Sequence, residues 1–289
     1  MIDDANKDTT YLETLQEPPS KTLFNTRRMG PAHARNMGIK EASGDFILFM
    51  DSDDRIVSSL APLFDALFEL QGDTPDIDLL IGERLDARLP TSLKKIPNGI
   101  ANIQSHPNMV RIEGFTSTLY RRNFLLDNDI RFDANHQISE DTVFQAACIS
   151  KARNTLLRSI PFYSYEKRKQ SRSQSQLDAG KAQSRLVVMD DITTCYENFR
   201  EAKSLCNVIL FSRNHLFYKR VKNELSRQHA EEYYEALGEW ARRHLFDTNE
   251  TARILENYYI NWNSSKANLL SALLEERSGQ FIRDSFFKD

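Results

Sequence analysis

GPAHARNMGIKEASGDFILFMDSDDRI, residues 30–56, is the stretch on which the fold turns. Gly30 and Pro31 open a helical pattern that runs to residue 42, with proline where a helix tolerates it best. Ser43, Gly44 and Asp45 break it. DFILFM (45–50) is then apolar without alternation, the pattern of a strand covered on both faces, and it runs straight into Asp51, Ser52, Asp53 and Asp54. Ligands of α/β sheets gather beyond the carboxyl ends of the strands, so these carboxylates stand at the ligand end. If the chain stays extended, Asp51 and Asp53 project to one side and offer two hard oxygen donors, suited to Mn²⁺ or Mg²⁺. Aspartate and serine are also ordinary turn residues. The stretch alone leaves both readings open.

Outward from it, KTLFNT (21–26) predicts a short strand, SSLAPLFDALFEL (58–70) a helix and DIDLLIG (76–82) a further strand. This alternation of strand and helix predicts a parallel sheet. Residues 111–126 mix strand and helix signals. SEDTVFQAACISKA (139–152) reads as a helix capped by Ser139. Beyond a polar stretch at 163–176 the chain is helical in period: 180–200, 206–226, 229–245, 250–260 and 264–285. The expected division is therefore 1–176 and a helical region 177–289.

Composition sets bounds. The 289 residues are 40% hydrophobic, enough for a sizeable core without disulfides. Against 41 acidic residues stand 38 basic ones, a net charge of −3, so no global field recruits nucleic acid, and none is expected as a partner. Cys148, Cys195 and Cys206 lack CxxC spacing and read as reduced, buried thiols in a cytoplasmic protein. No apolar run approaches the roughly 18 residues of a membrane span. The start, MIDDANKDTT, is acidic and polar, unlike a signal peptide. Mixed aromatics and basic residues at 208–225 allow peripheral contact with the inner face of a membrane, although packing is the commoner use of such a helix.

Residues 30–56 resemble the central signature of the family 2 glycosyltransferases: a small loop, Ala-Arg-Asn, a helix, a glycine and an apolar strand that ends in Asp-x-Asp. ISEDTVFQAA resembles that family's Glu-Asp motif opening a helix, STLYRRNFLLDNDIRF the segment before it, and PFYSYEKRKQSRSQS the Tyr-x-Tyr and basic segment after it. The resemblance covers about residues 1–176. It implies a GT-A fold, a Rossmann-like mixed sheet flanked by helices, here followed by a mostly α-helical C-terminal region. It also implies inverting transfer of a sugar from a nucleotide-diphosphate donor, such as a UDP-sugar, to a glycan or lipid-linked acceptor in bacterial surface polysaccharide synthesis.

Carried onto this chain, the resemblance makes Asp53 and Asp51 the ligands of Mn²⁺ or Mg²⁺. It makes Asp141 the base for the acceptor hydroxyl and Glu140 an acceptor ligand. Asp4, Arg35, Asn36, Asp51 and Ser52 become contacts of the nucleotide-sugar. The chemistry is coherent: a cation stabilises the departing diphosphate, and one base with one displacement inverts the anomeric centre. Taken singly, Ser-Glu-Asp is also what a helix dipole favours, and Arg35 what a solvated helix face carries. The basic cluster Lys167, Arg168, Lys169 and Arg172 could close over the diphosphate as a lid.

One departure stands out. Family members begin with a strand, a helix and a second strand ending in a Val-Asp-Asp-like motif, whereas here only Asp3 and Asp4 match its end. The expectation is a sheet whose neighbouring strands are left unpaired. The alternative function is a catalytically inactive relative that binds nucleotide-sugar or glycan.

Overall fold

The computed structural model describes residues 1–5, 21–70, 76–96, 99–136, 138–166, 176–245, 251, 253–254 and 270–271. Two sheets form. In the smaller, β1 (Ile2–Asp3) runs parallel to β2 (Leu23–Phe24), with Ile2 opposite Leu23. The larger contains β3 (Phe46–Leu48), β4 (Arg55–Ile56), β5 (Leu79–Arg84), β6 (Ile100–Ala101), β7 (Thr118–Arg121) and β8 (Thr155–Ser164). Its order is β3-β7-β5-β8-β4, with β6 also on β8. Among the described residues the two sheets share no ladder, and β3 ends the larger one.

The sheet is mixed, as the resemblance implies, and not the parallel one that the strand-helix alternation by itself suggests. β5 and β8 are parallel, but β7 is antiparallel to both β3 and β5. Residues 85–117 return along the sheet through short elements instead of one crossover helix, so β7 enters from the opposite end. The sheet is therefore mixed, with helices α1 (Pro31–Glu41), α2 (Ala61–Phe68), α3 (Thr91–Lys94), α4 (Arg122–Asp127) and α5 (Glu140–Lys151) about it.

Both faces of the larger sheet are covered, which explains why FILFM has no polar alternation. Ile47, Leu79, Ile81, Tyr120 and Leu157 share one core with Phe144 and Cys148 of α5. Leu80, Leu119 and Leu156 point the other way, against Leu63 and Ala66 of α2. At the centre of the first core, Phe49 touches the rings of Phe115, Tyr120, Phe132 and Phe144, and Phe132 stacks on Phe144 at 3.9 Å. Truncating any one of these rings to alanine would cost about 3–5 kcal/mol.

Three long helices follow: α6 (Ala179–Cys195), α7 (Arg200–Glu224) and α8 (Arg227–His244). Asp178 caps α6 by accepting from Lys181 N, and Ser226 caps α8 by accepting from His229 N. Leu186, Met189, Leu205, Phe211, Tyr234, Leu237 and Trp240 build a second core between them. Val188, Ile192, Tyr196, Ala202 and Cys206 turn instead into the core of the sheet. The three cysteines are free; burial pushes Cys195 up to about 11 and Cys206 up to about 12, so neither is a ready nucleophile. Among the described residues no helix is long and apolar enough to cross a membrane. The helices expected at 250–260 and 264–285 lie almost wholly outside the described residues.

Candidate functional site

At the carboxyl end of β3 the aspartates do not continue the strand. Asp54 N–H donates to the Asp51 carbonyl at 3.1 Å, closing a turn through Ser52 and Asp53. The alternation argument for Asp51 and Asp53 therefore fails; a tight turn, not an extended chain, presents their carboxylates. Asp54 is buried and belongs to the scaffold. Tyr163 Oη donates to Asp54 Oδ2 at 2.6 Å, Glu166 N–H donates to Oδ1 at 3.0 Å, and Asp51 N–H donates to the Tyr163 hydroxyl at 3.2 Å. Burial raises the Asp54 pKa, and these hydrogen bonds do not fully offset it. Ser52 is exposed in the turn.

Arg35, on α1, spans the site. It donates to Asp51 Oδ1 at 2.8 Å and to Glu140 Oε1 at 2.9 Å. Its guanidinium lies over the Phe115 ring at 4.6 Å and near the Phe132 ring at 5.3 Å. Burial by itself would lower the Arg35 pKa; the Asp51 and Glu140 carboxylates outweigh it and raise it. In this geometry the guanidinium holds two carboxylates apart on a flat aromatic platform, a bidentate role lysine cannot reproduce.

Two further side chains tie α1 into place. Asn36 donates to the Phe132 carbonyl at 2.7 Å and accepts from Phe132 N–H at 2.9 Å. Asp4 accepts from Asn25 Nδ2, Met29 N–H and Gly30 N–H at 2.7–2.8 Å, so its carboxylate fixes the loop into α1. Burial would raise the Asp4 pKa, but the Met29, Asn25 and Gly30 bonds lower it.

Glu140 and Asp141 open α5, as expected, but Ser139 does not cap it. Ser139 sits in the left-handed region, φ 58°, with no side-chain cap bond. Asp141 Oδ1 instead accepts from Thr142 N–H at 2.8 Å. Burial raises the Asp141 pKa, the adjacent Glu140 adds to the rise, and Arg35 opposes it. A carboxylate held above its ordinary pKa is a better proton acceptor when ionised, the property a general base needs.

The structure thus brings Arg35, Asp51 and Glu140 into direct contact, with Asp53 two residues after Asp51 and Asp141 next to Glu140. Sequence reading missed Tyr163 as the anchor of the aspartate turn and Phe115 as the bed of Arg35; the Tyr-x-Tyr pattern was the only hint of the former. Lys167, Arg168, Lys169 and Arg172 lie outside the described residues. The donor set fits a hard divalent cation: Asp51 and Asp53 are half-buried carboxylates on one turn, and the Arg35 bond takes a single oxygen of Asp51. Among the described residues no group of three or more acidic, histidine or cysteine side chains forms a cage, so waters and ligand phosphate oxygens would complete the shell.

With this geometry in view, comparison with known proteins is informative. Residues 1–125 match the family model of glycosyl transferase family 2. Over that stretch the chain is similar to the family 2 glycosyltransferases. The poly(ribitol-phosphate) beta-N-acetylglucosaminyltransferase TarS of Staphylococcus aureus is 25% identical over 238 residues, 78% of this chain and 41% of TarS. The succinoglycan biosynthesis protein ExoO of Rhizobium meliloti is 27% identical over 161 residues, 52% of this chain and 46% of ExoO. The chain thus spans less than half the length of either relative. The crystal structure of S. aureus TarS 1–349 with UDP-GlcNAc superimposes with a TM-score of 0.66 at 19% identity, covering 96% of this chain and 82% of that one. The fold is GT-A, and the superposition extends into the helical C-terminal region.

Proposed function

We propose that the chain transfers a sugar, with inversion, from a UDP-sugar to a hydroxyl of a glycan or lipid-linked acceptor in cell-surface polysaccharide synthesis. One observation carries the reading: Arg35 holds Asp51, of the donor-side turn, and Glu140, beside the candidate base, on a single guanidinium. The groups proposed for the leaving diphosphate and for the incoming hydroxyl thus lie within one side chain's reach, as a single displacement requires. The UDP-GlcNAc bound in the TarS structure and the poly(ribitol phosphate) in that relative's name make these two the first substrates to try.

In this mechanism Asp141 removes the proton of the acceptor hydroxyl and Glu140 orients that acceptor. Asp4, Asn36 and Ser52 line the nucleotide-sugar side, with Asp4 and Asn36 acting through the loops they fix. Mn²⁺ or Mg²⁺ held by Asp53 and Asp51 would neutralise charge on the diphosphate. Arg35 keeps the Asp51 and Glu140 carboxylates aligned. We place the reaction in the cytoplasm, at the inner face of the membrane if the acceptor is lipid-linked; three free cysteines, two of them buried, accord with a reducing compartment.

The test is calorimetric titration of UDP with and without Mn²⁺, followed by an assay of UDP release from UDP-sugars in the presence of poly(ribitol phosphate) or lipid-linked glycans. Binding with turnover supports the proposal. Metal-enhanced UDP binding without turnover on any acceptor supports the alternative, a catalytically inactive binding relative. Absence of UDP binding overturns both.

A further inference from the structure

A polar contact ties the helical C-terminal region to the loop that leads into the site. The loop that delivers Glu140 and Asp141 begins at Phe132, which Asn36 of α1 grips through both backbone groups. It turns at Asp133, whose Oδ1 accepts from Asn135 N–H at 2.8 Å. His136 follows, its side chain only 5% exposed, with Nε2 3.1 Å from Asp191 Oδ2 on α6 and 3.7 Å from Asp133 Oδ2. Three residues later Ser139 takes the left-handed backbone conformation, and α5 starts.

A non-glycine residue in that conformation persists when its surroundings over-determine it. Here Ser139 has no side-chain cap bond to hold it. The constraint comes from the two ends: Asn36 at Phe132 on one side, and the α5 packing of Phe144 on Phe132 on the other. Between them, His136 is a buried, polar side chain reaching across to a different part of the chain. Burial also raises the Asp191 pKa, which the His136 contact opposes.

We propose that Asp191, acting through His136, is a positioning residue for the acceptor half of the site. It does not touch the reacting atoms. Its contact fixes the loop from which Ser139 throws Glu140 and Asp141 toward Arg35, and so makes α6 part of the catalytic machinery. The inference rests on the reading of Asp141 as the base, and the tests separate the two.

Asp191 is 45% exposed, so its variants should fold. In Asp191→Ala, kcat for UDP release from UDP-GlcNAc, or from whichever UDP-sugar the panel identifies, should fall about tenfold with KM for the UDP-sugar unchanged. Asp191→Asn keeps an oxygen that His136 can bond and should recover most of the rate. His136→Gln should behave between the two. By hydrogen exchange, residues 132–145 should lose protection in Asp191→Ala while residues 46–54 keep theirs. The double variant Asp141→Asn with Asp191→Ala should be no slower than Asp141→Asn alone, because the clamp acts through that group. Unchanged exchange at 132–145, or a rate loss that Asp191→Asn fails to recover, overturns the proposal. An Asp141→Asn variant with parental rate would remove the base itself, and the exchange result would still judge the clamp.

Discussion

Tyr163 Oη donates to the buried Asp54 Oδ2 at 2.6 Å while accepting the Asp51 amide, so one phenol on β8 sets the shape of the aspartate turn after β3. The four-residue run is thereby divided: Asp54 faces inward as an anchor, and Asp51 and Asp53 remain for a ligand. Tyr163→Phe should keep the ring in its core yet free the turn. We expect a loss of about 1–3 kcal/mol in stability, since a buried carboxylate loses a hydrogen bond, together with weaker UDP binding. Chemical denaturation and calorimetry read the two. A variant with parental stability and affinity would sever the turn from β8.

Asp54 also gives a pH dependence. Its folded pKa is raised, so its contribution to stability is complete below the ordinary carboxylate range and is lost as pH rises through the raised value. Asp54→Asn should therefore flatten the decline of stability with rising pH across the acid range. A series of melting curves from about pH 4 to pH 7 would reveal an unchanged slope if the assignment is wrong.

Arg35→Lys tests the bridge. Lysine keeps the charge but cannot bond two carboxylates in a plane over Phe115. With Glu140 as buried as Arg35 and Asp51 more exposed, the loss should be about 3 kcal/mol, the low edge for breaking a buried pair. Turnover should fall more than UDP affinity, because Glu140 loses its alignment. Equal loss in both would make Arg35 a nucleotide contact and little else.

Asp53→Ala should abolish any Mn²⁺ enhancement of UDP binding while leaving the melting temperature within a degree or two of the parent, since the residue sits on a surface turn. Full metal enhancement in the variant would remove Asp53 from the ligand set.

Asp141→Asn keeps the shape of the side chain and its acceptor for Thr142 N–H but cannot take a proton. Transfer should drop by roughly 10² to 10⁴ at unchanged UDP affinity. Because the Asp141 pKa is raised, its ionised form costs stability near neutral pH, and the variant should be at least as stable as the parent there. Glu140→Gln removes the neighbouring charge, so the acid limb of the rate profile should move to lower pH. A limb that stays in place would exclude Asp141 as the titrating group.

Local patterns were enough to place α1 and α5, because a proline at the helix start, an acidic first turn and 3.6-residue periodicity operate within one turn. They did not reveal β8, where Arg158, Ser159 and Pro161 interrupt the apolar run and register shifts occur opposite Glu83. Nor could they foresee that the Arg35 guanidinium would meet Glu140, 105 residues away, or that Asp191 would meet His136. Such contacts depend on how helices pack. The division at residue 176 marks a change in periodicity, yet Val188, Ile192 and Cys206 fill the core beneath the sheet. Removing 177–289 would uncover apolar surface and do more than impair acceptor use.

The register of β3 also has a consequence in time. Its partner strand is β7, with Ile47 opposite Tyr120. During synthesis FILFM therefore leaves the ribosome with no ladder to join until roughly seventy more residues have followed, about 4–15 s at ~5–20 residues per second. Five uncharged apolar residues in extended conformation are the kind of segment that pairs with its own copies on crowded polysomes. The acidic run immediately behind them acts as a gatekeeper during that interval. Charge repulsion from Asp51 and Asp53 would oppose such pairing before any ligand reaches the finished site.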